Sequence, residues 1–227
     1  MLFIGLDLSP THSGAVLLDE NYTIFDHQFA FASTVARPKK KDVPGAHRIQ
    51  LSPHSYRAIL EVQRLGRHAE SVLSWVDSYH SPGELIVGIE DYAYDAKGRA
   101  HAAGEIGGMV RSGLFTRRIP FRAYDPLSLK IVACGKGVAD KHMVAAGIAA
   151  GYPLAHKALS VASSSPDMLA DLLDAYVLAR IAATEWSLRA GHVLLDSVTA
   201  GERRLFLRTT KARPENILSL PWVADAD

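Results

Sequence analysis

The sequence predicts one α/β domain built on a mixed sheet flanked by helices. Three observations carry that prediction. Residues 2–8 (LFIGLDL), 84–92 (ELIVGIEDY) and 119–126 (IPFRAYDP) are apolar runs of strand length. After the first run, AVLLDE and YTIFDHQFAFA continue as strands, with turns at 9–14 and 19–22, which makes a three-strand antiparallel meander. Beyond residue 55, helical and strand periodicities alternate, so parallel strands follow the antiparallel ones.

The remaining elements follow in order. Residues 33–55 hold three prolines, a glycine and the basic run RPKKK, and read as an inserted basic loop. From 56 to 79, Ile59, Leu60, Val62, Leu65, Ala69, Val72, Leu73 and Val76 recur at helical spacing. Residues 100–115 also read as a helix. A short helix at 127–133, a GKG loop at 135–137 and a helix over 141–150 come next. SSSPDMLADLLDAYVLARIAATEW (163–186) is the clearest helix. Ser165 suits its N-cap, Pro166 its first position and Asp167 the positive end of its dipole. In the tail, VLLDSV and RRLFLRTTK read as a hairpin. The organisation is therefore a domain over 1–190 and an extension over 191–227.

The 227 residues are enough to bury a sizeable core without disulfides. The single cysteine, Cys134, excludes an intramolecular disulfide framework and a cysteine-built zinc site. No apolar run reaches the length of a membrane span, and MLFIGLDLSP has no basic segment or cleavage signal, so a cytoplasmic location is expected. A net charge of +1 hides local asymmetry. Basic clusters stand at 37–41, 117–119 and 203–213.

Four carboxylates occupy places where apolar residues belong. Asp7 lies within the first strand, Glu90 near the end of the second apolar strand, and Asp171 and Asp174 three apart on the long helix. That spacing sets the helical pair on nearly one face, at the edge of a stripe formed by Leu169, Leu173, Tyr176, Val177 and Ile181. Singly, each has a plainer reading as a cap, a turn residue or a solvated side chain. Together they make an oxygen-ligand set. Desolvation and like charge oppose ionising such a set, and a divalent cation reverses that balance. The donors suit Mg²⁺ or Mn²⁺, and two such ions can support phosphodiester cleavage.

Four segments carry a resemblance. GLDLSPTHSGAVLLD (5–19), IVGIEDYAY (86–94), GKGVADKHMV (135–144) and DLLDAYVLA (171–179) together resemble RuvC-type Holliday-junction resolvases of the RNase H-like superfamily. GKG-x-ADK is the most specific piece, and phage-encoded relatives look closer than bacterial ones. The resemblance implies an RNase H-like sheet and a homodimeric, Mg²⁺-dependent endonuclease that nicks four-way DNA junctions, leaving 5′-phosphate and 3′-hydroxyl ends. It places metal ligation on Asp7, Glu90, Asp171 and Asp174, with two ions, and a catalytic charge on Lys141. It also places Lys136 and Lys141 against DNA. Where the family carries an aromatic wedge, this chain has Ala93, flanked by Tyr92 and Tyr94, and Tyr94 is the candidate substitute. Arg99, Arg111, Arg117 and Arg118 are further candidate phosphate contacts. The small residues Gly104, Gly107 and Gly108 offer close packing within the fold or at a dimer interface. His12, His101, His142 and His156 lack metal-ligand spacing, although His12 follows Asp7 closely.

Other readings stay open. Actin-like and sugar-kinase ATPases also begin with an Asp-bearing strand and a Gly-containing hairpin. A junction-binding protein without cleavage, or a nuclease preferring flaps and forks, would use the same elements.

Overall fold

The computed structural model describes residues 1–32, 53–91, 100–209, 211 and 214–223. Strands β1 (Leu2–Leu8), β2 (His12–Asp19) and β3 (Ile24–Phe31) form the meander. Helix α1 (Pro53–Asp77) leads to β4 (Leu85–Glu90), and α2 (Ala100–Thr116) to β5 (Phe121–Tyr124). The sheet order is β3-β2-β1-β4-β5. The β1/β2 and β2/β3 pairs are antiparallel, and β1/β4 and β4/β5 are parallel. This is the RNase H-like mixed sheet that the sequence predicts.

Side-chain alternation divides the sheet into two packed faces. Ile4, Leu6, Ala15, Leu17, Val87 and Ile89 pack with α1 and α2, through residues such as Leu65, Val72, Val76, Ile106 and Leu114. Phe3, Val16, Leu18 and Ile86 face the other way, onto the long helix α6 (Pro166–Arg189). Around α6 lie α3 (Pro126–Cys134), α4 (Lys141–Gly151), α5 (Pro153–Ala162) and α7 (Ala200–Phe206).

Helix α6 begins as its sequence specifies, with the Ser165 side chain accepting from the Met168 amide and Pro166 at the first helical position. It is buried nearly all round rather than along one stripe, because the sheet covers one side and the smaller helices the other. Glycine at position 5 permits close approach to the sheet, since a Cβ there would run into the Ala175 carbonyl. Leu172, Leu173, Val177, Leu178 and Ile181 are almost completely buried. At roughly 1.5–3 kcal/mol each, their burial is worth on the order of 10 kcal/mol. That burial favours seating α6 on the sheet, and opposes the cost of carrying acidic side chains toward other acids.

Three sequence readings need correction. The tail does not form a hairpin: RRLF lies in α7, closed by a capping box between Thr199 and Glu202. A strand would put Leu205 and Phe206 on opposite faces, but both are buried and Leu207 is exposed, which is a helical period. Helix α5 stands where no element was predicted. Of the loop expected over 33–55, residues 33–52 lie outside the described residues and 53–55 already belong to α1.

Candidate active site: a cluster of carboxylates on the central strands

The register brings the acids together. Gly5 pairs with Gly88 and Leu6 with Ile89, so one residue further on Asp7 and Glu90 stand side by side at the ends of parallel strands. Both lie on the face that α6 covers. Across the meander Asp7 pairs with Gly14, and a Cβ on Gly14 would stand 2.7 Å from the Asp171 carbonyl oxygen. The bare backbone at Gly14 thus lets the first turns of α6 settle beside Asp7.

The charges show how tightly the group is gathered. Burial first, then Glu90, Asp174 and Asp171, hold the Asp7 carboxyl well above the usual carboxylate range, with Lys141 pulling the other way. Burial also raises Glu90, against Lys130 and Lys141, and Asp7 hydrogen bonds to it. Asp174 is pushed up to about 7 by burial first and then by Glu90 and Asp171, opposed by Lys141 and Lys130. All four predicted acids therefore meet in one electrostatic unit.

Asp171 is 3% exposed, and its oxygens face two nitrogens. Lys141 Nζ donates to Oδ1 at 3.2 Å. His12 Nδ1 lies 2.5 Å from Oδ2, a close polar contact without hydrogen-bond alignment. Burial would pull the Lys141 ammonium down, but Asp171, followed by Asp7 and Asp174, outweighs it and raises its pKa. Lys141 is placed by the GKG-x-ADK segment itself: Asp140 caps α4 by accepting from the Met143 amide, so Lys141 opens the helix.

Among the described residues, no three His, Cys, Asp or Glu side chains already converge on one point as a metal shell. The Lys141 ammonium supplies positive charge beside Asp171. The donor chemistry nevertheless fits a hard divalent ion: carboxylate oxygens, held together against burial and mutual repulsion, gain most from a doubly charged partner.

The other predicted residues fall in different places. Lys136 is exposed on the loop between α3 and α4. The Arg111 guanidinium donates to the Glu90 carbonyl at 2.9 Å and pairs with Asp91 at 3.1 Å, bracing the end of β4. Arg117 pairs with Asp77 and Glu70. Tyr94 and Arg99, with Tyr92 and Ala93, lie outside the described residues.

Two features escaped the sequence reading. Lys130 acts on both Glu90 and Asp174 from α3. Its signal was a lone lysine in an otherwise apolar short helix directly after the strand beside Glu90. The second feature is a clamp behind the β1–β2 turn. Buried Arg64 donates to the Pro10 carbonyl, and Ser13 Oγ meets His68 Nε2 at 2.9 Å. These α1 side chains fix the hairpin that carries His12, and nothing local in the sequence pairs them.

A mixed five-stranded sheet with helices on both faces is an RNase H-like fold. The solved structures narrow this to a RuvC-like fold. The chain superposes on Thermus thermophilus RuvC with a TM-score of 0.50 at 21% identity, covering 84% of this chain and 97% of that one. For T. thermophilus RuvC in complex with Holliday junction substrate the TM-score is 0.51 at 20% identity, covering 84% and 96%. No protein-family model and no curated protein matches the sequence.

Proposed function

We propose that this protein is a divalent-metal-dependent, structure-specific endodeoxyribonuclease that nicks four-way junctions and related branched DNA. The observation that carries the reading is the electrostatic union of Asp7, Glu90, Asp171 and Asp174 on a RuvC-like fold. The junction-bound T. thermophilus structure supports branched DNA as the substrate class.

Asp7, Glu90, Asp171 and Asp174 would hold Mg²⁺ or Mn²⁺. A pair of such ions supplies an activated water and charge stabilisation for the leaving 3′ oxygen. The chain's own groups do the rest. Asp7, on the strand paired on both sides, would stand at the centre of the site. Glu90 is held in place through its backbone by Arg111. Lys141 and Lys130 bring positive charge to the site, where a scissile phosphate gathers negative charge. Lys136, Arg99 and Tyr94 belong to the proposed DNA surface. Cleavage yields 5′-phosphate and 3′-hydroxyl ends. A homodimer would place two sites on one junction for paired nicks.

The test is direct. Purified protein is incubated with labelled four-way, flap and linear DNA, in Mg²⁺ or in EDTA. Nicking of branched substrates only with metal is expected, and Asp7→Asn should abolish it while junction binding persists. Cleavage retained by Asp7→Asn, or ATP turnover without DNA, would displace the reading.

A further inference from the structure

The carboxylate site has an aromatic flank. His12, Phe29 and Phe31 lie on one face of β2 and β3, since His12 pairs with Phe31 and Gly14 with Phe29 across the strands. Their rings touch in series. His12 and Phe29 stack with centroids 5.6 Å apart and planes 19° apart. Phe29 and Phe31 meet edge-on at 4.8 Å. One end of the row is the His12 ring beside Asp171. The other end is Phe31, 76% exposed. A ring so exposed contributes little to the core. The other carboxylate oxygen of Asp171 meets Lys141, whose side chain is 63% exposed. One buried acid therefore contacts both an accessible cation and the inner end of the aromatic row. That is the pairing of charge and π-face that single-stranded nucleic acid requires: phosphate on the cation, base on the ring.

We propose that Phe31, backed by Phe29 and His12, is a stacking platform for an unpaired base of the strand entering the site. The proposal rests on the nuclease reading and sharpens it: the substrate is DNA already unstacked at a branch point, not continuous duplex. Ring stacking tolerates any base, so the platform selects for lost pairing rather than for sequence.

The experiment uses the full chain in EDTA, which prevents cleavage. Four-way junctions carry 2-aminopurine at the branch, and a duplex carries it internally. The wild type should bind the junction and quench 2-aminopurine. Phe31→Ala should bind the junction about tenfold more weakly and lose the quenching, with duplex affinity unchanged. Phe31→Tyr should restore both. The exposure of Phe31 means folding is retained, and an unchanged melting temperature checks this. If Phe31→Ala matches the wild type in affinity and quenching while the wild type still nicks junctions with Mg²⁺, the platform is wrong and the nuclease reading stands. If the wild type neither binds nor nicks branched DNA, both are overturned.

Discussion

Gly5 lies directly beneath the carbonyl of Ala175, with no room between them for a side chain. The contact sets how near α6 comes to the sheet, and so whether Asp171 and Asp174 reach Asp7. In Gly5→Ala the added methyl meets backbone, which cannot rotate aside. Overpacking typically costs about 1–3 kcal/mol, and this position should fall at or above the upper end. Urea denaturation should show that loss. Nicking should fall further than the stability change alone explains, because the acids move apart with the helix.

The metal-free protein should become less stable as pH rises. Asp7, Glu90 and Asp174 all have folded pKa values above their unfolded ones, with Asp174 at about 7. Between about 4, the unfolded value, and about 7, the folded state holds more protons than the unfolded state, so ionisation favours unfolding. Their favourable contribution is full below pH 4 and is lost as pH climbs through the folded values. Melting temperatures in EDTA should therefore decline across that window from this source, and Mg²⁺ should flatten the decline. Identical profiles with and without Mg²⁺ would contradict a metal site here.

The same repulsion makes Asp7→Asn a stabilising change in EDTA. The amide removes a charge that burial and three acids oppose, yet keeps the shape. A rise of several degrees in melting temperature is expected, together with a smaller Mg²⁺-induced shift and no nicking. Calorimetry with Mn²⁺ should show weakened binding.

Much of this site was legible because each acid broke a local rule. Asp7 interrupts an apolar strand, and Asp171 and Asp174 share a helix face within the longest apolar pattern. The meander, the mixed sheet and the start of α6 followed from periodicity and from Ser165 and Pro166, whereas the strand order and the seat of α6 on the sheet did not. What stayed hidden depends on contacts between distant segments. Nothing near His12 announces Asp171, and nothing near Pro10 announces Arg64. The tail misled because RRLFL alternates weakly, whereas the Thr199–Glu202 capping box was a local signal that went unread. Aromatic residues Phe29 and Phe31 read only as strand formers until the register set them beside His12.

Lys130 and Lys141 should matter more than Lys136. The first two act on the acids, whereas Lys136 points into solvent on its loop. Removing one preorganised charge from a transition-state site costs about 10²-fold or more in rate. Single-turnover nicking by Lys130→Ala and by Lys141→Ala should fall by about that factor, with junction affinity changed far less. Lys136→Ala should lower affinity slightly and leave the single-turnover rate within about threefold, as expected for one solvent-screened phosphate contact.

The tail is held by a buried ion cluster, and one substitution should release it. Glu185 is fully buried and receives hydrogen bonds from Arg122, Arg189 and the Tyr124 hydroxyl. Arg122 also donates to the Leu220 and Pro221 carbonyls, and Trp222 covers both guanidinium groups at 4.9 and 5.5 Å. Just beyond, Val223 exchanges two backbone hydrogen bonds with Phe121 on edge strand β5. Glu185→Ala would leave buried Arg122 without its counter-charge, and breaking such a pair typically costs about 3–5 kcal/mol. Hydrogen exchange at the Val223 and Phe121 amides should accelerate more than at the amides of α6. With β5 uncovered, an unpaired edge is exposed, so the variant should also aggregate at lower temperature than the wild type. Exchange that speeds up uniformly across the chain would show that the cluster supports the whole fold rather than the tail.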